Sequence, residues 1–290
     1  MSRLKLGIPK GSLEASTVDL FKRAGWRIVY DARSYFPDID DDDISCTLVR
    51  AQEMSRYVAD GTLDLGLTGR DWIIENESDV VVVQELIYSK LSPKAARWVL
   101  VVREDSDIRE LSDMEGKRIS TELVNFTKRY FEERNIRVQV EFSWGATEAK
   151  VVEGLVDAVV EVTETGTTIR ANKLRIVHEL MTTSPQLISN NGAWNDPWKR
   201  KKIEQIRILL NGSLQAMGKV GLKMNVSKGN LSNVMSMLPS LKAPTISGLY
   251  SEEWFAVETI VTGSLVRDLI PSLQAAGAEG IIEYALNKVI

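Results

Sequence analysis

The chain is poor in the residues that carry much covalent and metal chemistry. Its 290 residues include one cysteine, Cys46, and one histidine, His178. A single cysteine closes no disulfide within the chain, and no Cys-x-x-Cys pair is present to hold zinc. A reducing cytosol is therefore the expected location. No Gly-x-Ser-x-Gly elbow accompanies His178, so it reads as a structural residue and not as part of a catalytic triad. No Gly-x-Gly-x-x-Gly opens a helix, which argues against a dinucleotide site. A Walker A loop is also missing. Residues 212–219 come nearest, but their spacing is too long and Val220 stands where Ser or Thr would bind Mg²⁺. The acidic run 38–43 lacks the spaced ligands and glycine of an EF-hand and reads as a solvated loop.

Long apolar runs are missing too. Residues 80–83 and 98–102 are strand-sized, far short of the roughly 20 residues that cross a bilayer. The N-terminus shows no basic-then-apolar leader, so no membrane partner is expected. Basic residues do not dominate: 36 Lys and Arg face 40 Asp and Glu, for a net charge of −4. That balance argues against a nucleic-acid partner but leaves room for a local positive pocket.

What is present is enough apolar residue, 44% of the chain, for two or three domains with sizeable cores. Strand and helix signals alternate through the first two hundred residues. Strands are expected at 3–8, 44–49, 63–67, 80–86 and 96–102, with helices at 12–24 and 53–59. A second unit opens near Leu91, with helices at 123–134 and 147–155 and strands at 138–142 and 158–162. The pattern implies an α/β fold with largely parallel sheets in two lobes, and a ligand cleft between them at the strand C-terminal ends. A helix is expected at 198–210, stopped by Asn211-Gly212. Its basic stretch 199–202 reads as a solvated face. From residue 219 the order becomes βαββαβ, that of a ferredoxin-like module.

The most informative stretch is 159–169, Val-Val-Glu-Val-Thr-Glu-Thr-Gly-Thr-Thr-Ile. An apolar strand feeds a glycine set among threonines. Gly166 lets the backbone turn tightly and bring N–H groups to an anion. Thr163, Thr165, Thr167 and Thr168 add hydroxyls, and a helix starting near Thr168 would favour the same anion. Glu161 and Glu164 suit ribose hydroxyls or a water-bridged Mg²⁺. Lys10 and Arg50, just after expected strand ends, are candidates for further phosphate contacts. Thr68, Gly69 and Asp71 lie at another such end, and Asp71 suits either a ligand contact or a helix cap.

Residues 161–174 (EVTETGTTIRANKL) resemble the phosphoribosyl-pyrophosphate loop of ATP phosphoribosyltransferases, with Glu161 where the family usually carries Asp. Residues 8–13 are similar to the family's Lys-Gly-x-Leu opening, which includes Lys10 and Gly11. Residues 50–71 are similar to its second nucleotide-cleft segment. The resemblance spans the chain and matches the long form of the enzyme. It implies a two-lobed, periplasmic-binding-protein-like catalytic region and a regulatory ferredoxin-like domain. The implied boundaries are 1–92 with 176–210 for the first lobe, 93–175 for the second and 211–290 for the regulatory domain. It further implies ATP and phosphoribosyl pyrophosphate as substrates, Mg²⁺, histidine as feedback effector, and homodimers and homohexamers. Asn225, Thr245, Ser247 and Ala278 are the implied effector contacts. No single catalytic side chain is implied, because alignment and charge stabilisation suffice for this displacement.

Overall fold

A computed structural model describes residues 3–29, 34–88, 95–239 and 243–290. It divides into two compact units, Met1–Arg207 and Ile208–Ile290.

The first unit opens with β1 (Leu4–Lys10) and α1 (Glu14–Ala24), then a short antiparallel pair, β2 (Ile28–Val29) and β3 (Asp38–Ile39). Next come β4 (Ile44–Arg50), α2 (Ala51–Ala59), β5 (Leu65–Gly69), α3 (Arg70–Glu75) and β6 (Val81–Glu85). A second lobe holds β7 (Ala96–Arg103), β8 (Arg118–Thr121), α4 (Val124–Glu132), β9 (Gln139–Phe142), α5 (Thr147–Val152), β10 (Ala158–Thr163), α6 (Thr167–Ala171) and β11 (Leu174–Thr183). The chain then returns through β12 (Pro185–Ser189), α7 (Asn191–Asn195) and α8 (Pro197–Ala216).

The two sheets run β4-β1-β5-β12-β6 and β11-β7-β10-β8-β9. They are mixed, not largely parallel. Strands β1, β4 and β5 pair in parallel, as do β8, β9 and β10, while β7, β11 and β12 make antiparallel pairs. The cause is the crossing. A strand that has just come from the other lobe enters at the cleft end and runs against its neighbours, as β7 and β12 do. All the other long strands therefore point their C-terminal ends at the cleft.

The expected return to the first lobe at 176 is corrected. Strand β11 pairs with β7 from Leu174 to Thr183, so the crossing falls at Ser184. The expected boundary at 92–93 and the start near Leu91 lie outside the described residues. The helix expected to stop at Asn211-Gly212 runs on to Ala216. A Cβ on Gly212 would sit 2.7 Å from Ile290 Cγ1, so this glycine makes room for the C-terminus and does not end the helix.

Strand β7 is the keel of the second lobe. Trp98, Leu100 and Val102 pack on one side with Ile119, Phe131 and Val160, and Val99 and Val101 pack on the other with Val159 and Ile169. Full burial of each large side chain contributes about 1.5–3 kcal/mol.

The second unit contains β13 (Lys219–Ser227), α9 (Leu231–Met237), β14 (Thr245–Gly248), β15 (Trp254–Thr262), α10 (Val266–Ala275) and β16 (Ala278–Ala285). The sheet order is β14-β15-β13-β16 with every pair antiparallel. That is the ferredoxin-like βαββαβ arrangement. Leu222, Met224, Val226, Val257 and Val261 point to the helix-covered face.

Candidate active site

A cleft of about 540 Å³ lies between the two lobes of the first unit, lined by the ends of β1, β4, β5, β8 and β10. On the first-lobe wall, β1 ends at Lys10 and β4 at Arg50, and the two are paired in register. Two cations side by side on neighbouring strands repel unless an anion joins them. Lys10 is eased by lying 4.0 Å from the Tyr35 ring centroid. Gly11 turns the chain at φ 114°, and Gly69 also lines this wall. A groove of about 940 Å³ runs along the outer edge of β4. It is larger, but it contains none of the threonine loop, so its size does not mark a site.

On the second-lobe wall, β10 delivers the loop. Gly166 adopts φ 72°, a left-handed conformation that costs other residues energy, and α6 starts at Thr167. The Gly166 N–H donates to Thr163 Oγ1 at 2.8 Å, and the Thr165 and Thr167 hydroxyls lie 2.9 Å apart. Thr163, Glu164, Thr165, Thr167 and Thr168 all line the cleft.

Behind the loop stands a set of carboxylates with disturbed acidity. Burial pushes Glu161 up to about 7, helped by the charges of Glu148 and Glu122 and opposed by hydrogen bonds from Thr147 and the Val162 N–H. Glu122 follows β8 directly and lines the cleft. Burial raises its pKa, Asp71 adds to the rise, and the Gln52 side chain opposes it. Burial also raises Asp71, against hydrogen bonds from Trp98 and Trp72. Each of the three is thus held against ionisation chiefly by its burial.

Asp71 is 6% exposed. Its Oδ2 accepts from Trp98 Nε1 at 2.8 Å and its Oδ1 from the Trp72 N–H at 3.0 Å. It thus ties the lobes together at the cleft floor. Gly69 is obligatory beside it, since a Cβ there would sit 2.0 Å from Asp71 Oδ1. Thr68 is not brought into the cleft: it is fully buried and donates to the Ala51 carbonyl at 2.7 Å. His178 is structural, with Nε2 2.8 Å from the Tyr130 hydroxyl. In the second unit, Asn225 and Ser247 flank Ala256 in register and are exposed with Thr245 on the uncovered sheet face. Ala278 pairs with Val226 and is buried in the core, so it does not share that face.

Sequence reading missed Glu122, Gln52, Trp98 and Glu75. Glu122 carries the same signal as Glu161, an acid at a strand's C-terminal end. The other three are recognisable only once the lobes meet.

Fold and cleft together define a two-lobed α/β protein that presents a threonine-glycine loop opposite paired cations. The family model described as "ATP phosphoribosyltransferase" matches residues 50–212, and the one described as "HisG, C-terminal domain" matches 216–288. The ATP phosphoribosyltransferase of Desulfosudis oleivorans is 63% identical over 287 residues, 99% of each chain. ATP phosphoribosyltransferase 1 of Geobacter sulfurreducens is 59% identical over 99% of each chain. A chain of the ATP phosphoribosyl transferase (HisG:HisZ) complex from Thermotoga maritima superposes with a TM-score of 0.63 at 28% identity, covering 73% of this chain and 98% of its own. The chain belongs to the ATP phosphoribosyltransferase family, in its long form with the C-terminal domain. It is a transferase of the pentosyltransferase kind that serves histidine biosynthesis.

Proposed function

We propose that the enzyme joins ATP to phosphoribosyl pyrophosphate, giving N1-(5-phosphoribosyl)-ATP and pyrophosphate as the first step of histidine biosynthesis. The adenine N1 lone pair forms the new bond to the anomeric carbon. The bond from that carbon to pyrophosphate breaks, and pyrophosphate leaves with the electron pair. The observation that carries this reading is the opposition of two walls: a threonine-glycine loop beside half-buried carboxylates on one, and the Lys10–Arg50 pair on the other.

In this reading the loop 163–168 takes the 5-phosphate through its threonine hydroxyls and the backbone N–H groups at the start of α6. Glu161 and Glu122 receive ribose hydroxyls, with Glu164 at the loop's mouth. Lys10, Gly11 and Arg50 hold the pyrophosphate or the triphosphate, while Gly69 leaves the backbone open to a ligand. No side chain needs to act as nucleophile. Holding both substrates in line, with charge placed for an oxocarbenium-like centre, supplies the catalysis.

Among the described residues no group of three acidic, histidine or cysteine side chains could hold a metal by itself. The donor set therefore fits Mg²⁺ carried in by the substrate's phosphates and touched by one or two carboxylates, directly or through water. When bound, it would offset charge on the departing pyrophosphate.

The same proposal includes feedback inhibition by histidine at the uncovered face of the second unit, around Asn225, Thr245 and Ser247. It also includes homodimers and homohexamers and a cytosolic location. The test is purified protein with ATP, phosphoribosyl pyrophosphate and Mg²⁺, followed by ultraviolet absorbance with pyrophosphatase present. Product that requires both substrates supports the reading. No product from folded, assembled protein overturns it. Activity curves that coincide with and without histidine overturn the regulatory part.

A further inference from the structure

Helix α3 of the first lobe reaches into the second at two points, through Asp71 and Glu75, one turn apart. Asp71 holds Trp98. Glu75 is 8% exposed and ends on helix α4. Its Oε1 accepts from the Asn125 N–H at 2.9 Å and its Oε2 from the Phe126 N–H at 2.8 Å. Asn125 Nδ2 donates back to the Glu75 carbonyl at 3.3 Å. One turn further along α4, Arg129 Nη2 donates to the Ile74 carbonyl at 2.8 Å, and Nη1 pairs with Glu77.

This is a helix cap supplied from another lobe. The first N–H groups of a helix need acceptors, and a carboxylate there also meets the positive end of the helix dipole. The N-cap residue of α4, Leu123, has no acceptor on its side chain. Glu75 fills that role. The turn it grips is joined to Glu122 through Leu123 alone, so the grip also sets where Glu122 stands in the cleft.

We propose that Glu75 is a positioning residue. By capping α4 from the opposite lobe it fixes the spacing of the two cleft walls, so that one ligand can meet Lys10 and Arg50 on one side and the threonine loop and Glu122 on the other. This rests on the reading above that phosphoribosyl pyrophosphate bridges the walls. Ribose 5-phosphate, which has no pyrophosphate, needs the second-lobe wall alone.

Two variants test it, Glu75→Gln and Glu75→Ala. Gln keeps one acceptor oxygen and Ala keeps none, so Gln remains informative if Ala does not fold. Calorimetry would measure phosphoribosyl pyrophosphate and ribose 5-phosphate, with kinetics alongside. Glu75→Gln should weaken phosphoribosyl pyrophosphate and raise its KM about tenfold, the equivalent of one charge-assisted hydrogen bond. Ribose 5-phosphate affinity should stay within about twofold, a ratio worth well under 1 kcal/mol. Glu75→Ala should go further in the same direction. A lower Tm with unchanged phosphoribosyl pyrophosphate binding would reduce Glu75 to a structural role and overturn the proposal. Equal loss of both ligands would overturn it too, because it would mean general loosening. Wild-type protein that binds neither ligand would instead refute the reading of the cleft itself.

Discussion

Replacing Glu161 by Gln should make the free enzyme more stable while removing much of its activity. Glu161 titrates near 7 where an ordinary glutamate titrates at 4.5. Its charged form is therefore penalised in the folded protein. Moving from 4.5 to about 7 corresponds to about 3.4 kcal/mol. Glu161 is only partly buried, so solvent screening trims this to roughly 2 kcal/mol. For a carboxyl whose folded pKa is raised, the penalty is absent below the unfolded value. It grows as pH climbs from about 4.5 to about 7, and is complete above that. Gln cannot ionise and keeps an oxygen for the Thr147 and Val162 hydrogen bonds. The variant's advantage must therefore be small near pH 5 and full near pH 8, where it is worth about 4–8 °C in Tm for a unit of this size.

The assay is thermal unfolding of wild type and Glu161→Gln without ligands, at several pH values across that window. A second series in high salt should shrink the part of the gain that comes from Glu148 and Glu122. A gain that does not change with pH would refute the electrostatic argument, since packing alone has no such dependence. A loss of stability at pH 8 would refute the claim that this carboxylate is held against its preference.

Gly166→Val forces a branched residue to φ 72° with its Cβ 3.1 Å from Arg170 Nη1, a backbone cost of about 1–2 kcal/mol. It should raise KM for phosphoribosyl pyrophosphate about tenfold or more, and unchanged KM and turnover would rule out the loop assignment. Lys199→Met leaves Asp64, 5% exposed and still bonded to the Lys5 N–H, without its ion pair at 2.8 Å. Breaking a buried pair costs about 3 kcal/mol, so chemical denaturation should show a loss of that size, and a loss below about 1 kcal/mol would show the pair to be solvent-screened. Substrate binding should favour ionised Glu161 and release up to about half a proton near pH 7, fading towards pH 9. Calorimetry in buffers of different ionisation heat reads that release, and buffer-independent heats would count against it.

The regular parts of the fold were legible because their patterns are local. Strands β1, β4, β7 and β10 and helices α1, α2 and α4 follow apolar periodicity closely. The return path at 174–189 was not legible. Strand β11 carries register shifts after Ile176 and after Glu179, which break the two-residue alternation that marks a strand. Pro185 then opens β12 at the crossing itself. Helix α3 spans only Arg70–Glu75, too short for a helical period to emerge. The Asn211-Gly212 signal misled for another reason: the packing of Ile290 overrides a local stop. Of the site, the loop and the cation pair were readable as motifs. Glu122 carried the same strand-end signal as Glu161 and was passed over, whereas Glu75 was not readable, because its meaning comes from Asn125 and Phe126, about fifty residues away.

Two charge runs that looked bland separately turn out to meet. The acidic stretch 38–43 is not a free solvated loop. Asp41 accepts from Trp26 Nε1 at 3.0 Å, and Lys202 bridges Asp41 and Asp43 at 3.1 and 2.9 Å. Lys199 takes Asp64. Half of the basic run thus pins the start of α8 to the first lobe. In these outer clusters opposite charges are matched, and the pairs are complete without a ligand. At the cleft, like faces like: Lys10 stands beside Arg50 on one wall, and Glu122 on the other is backed by Glu161 and Glu148. Such arrangements cost folding energy and survive where a ligand of complementary charge completes them. A molecule with phosphates at its ends and hydroxyls between them relieves both walls at once. That arrangement disfavours a ligand with charge of one sign throughout, which would relieve one wall and strain the other.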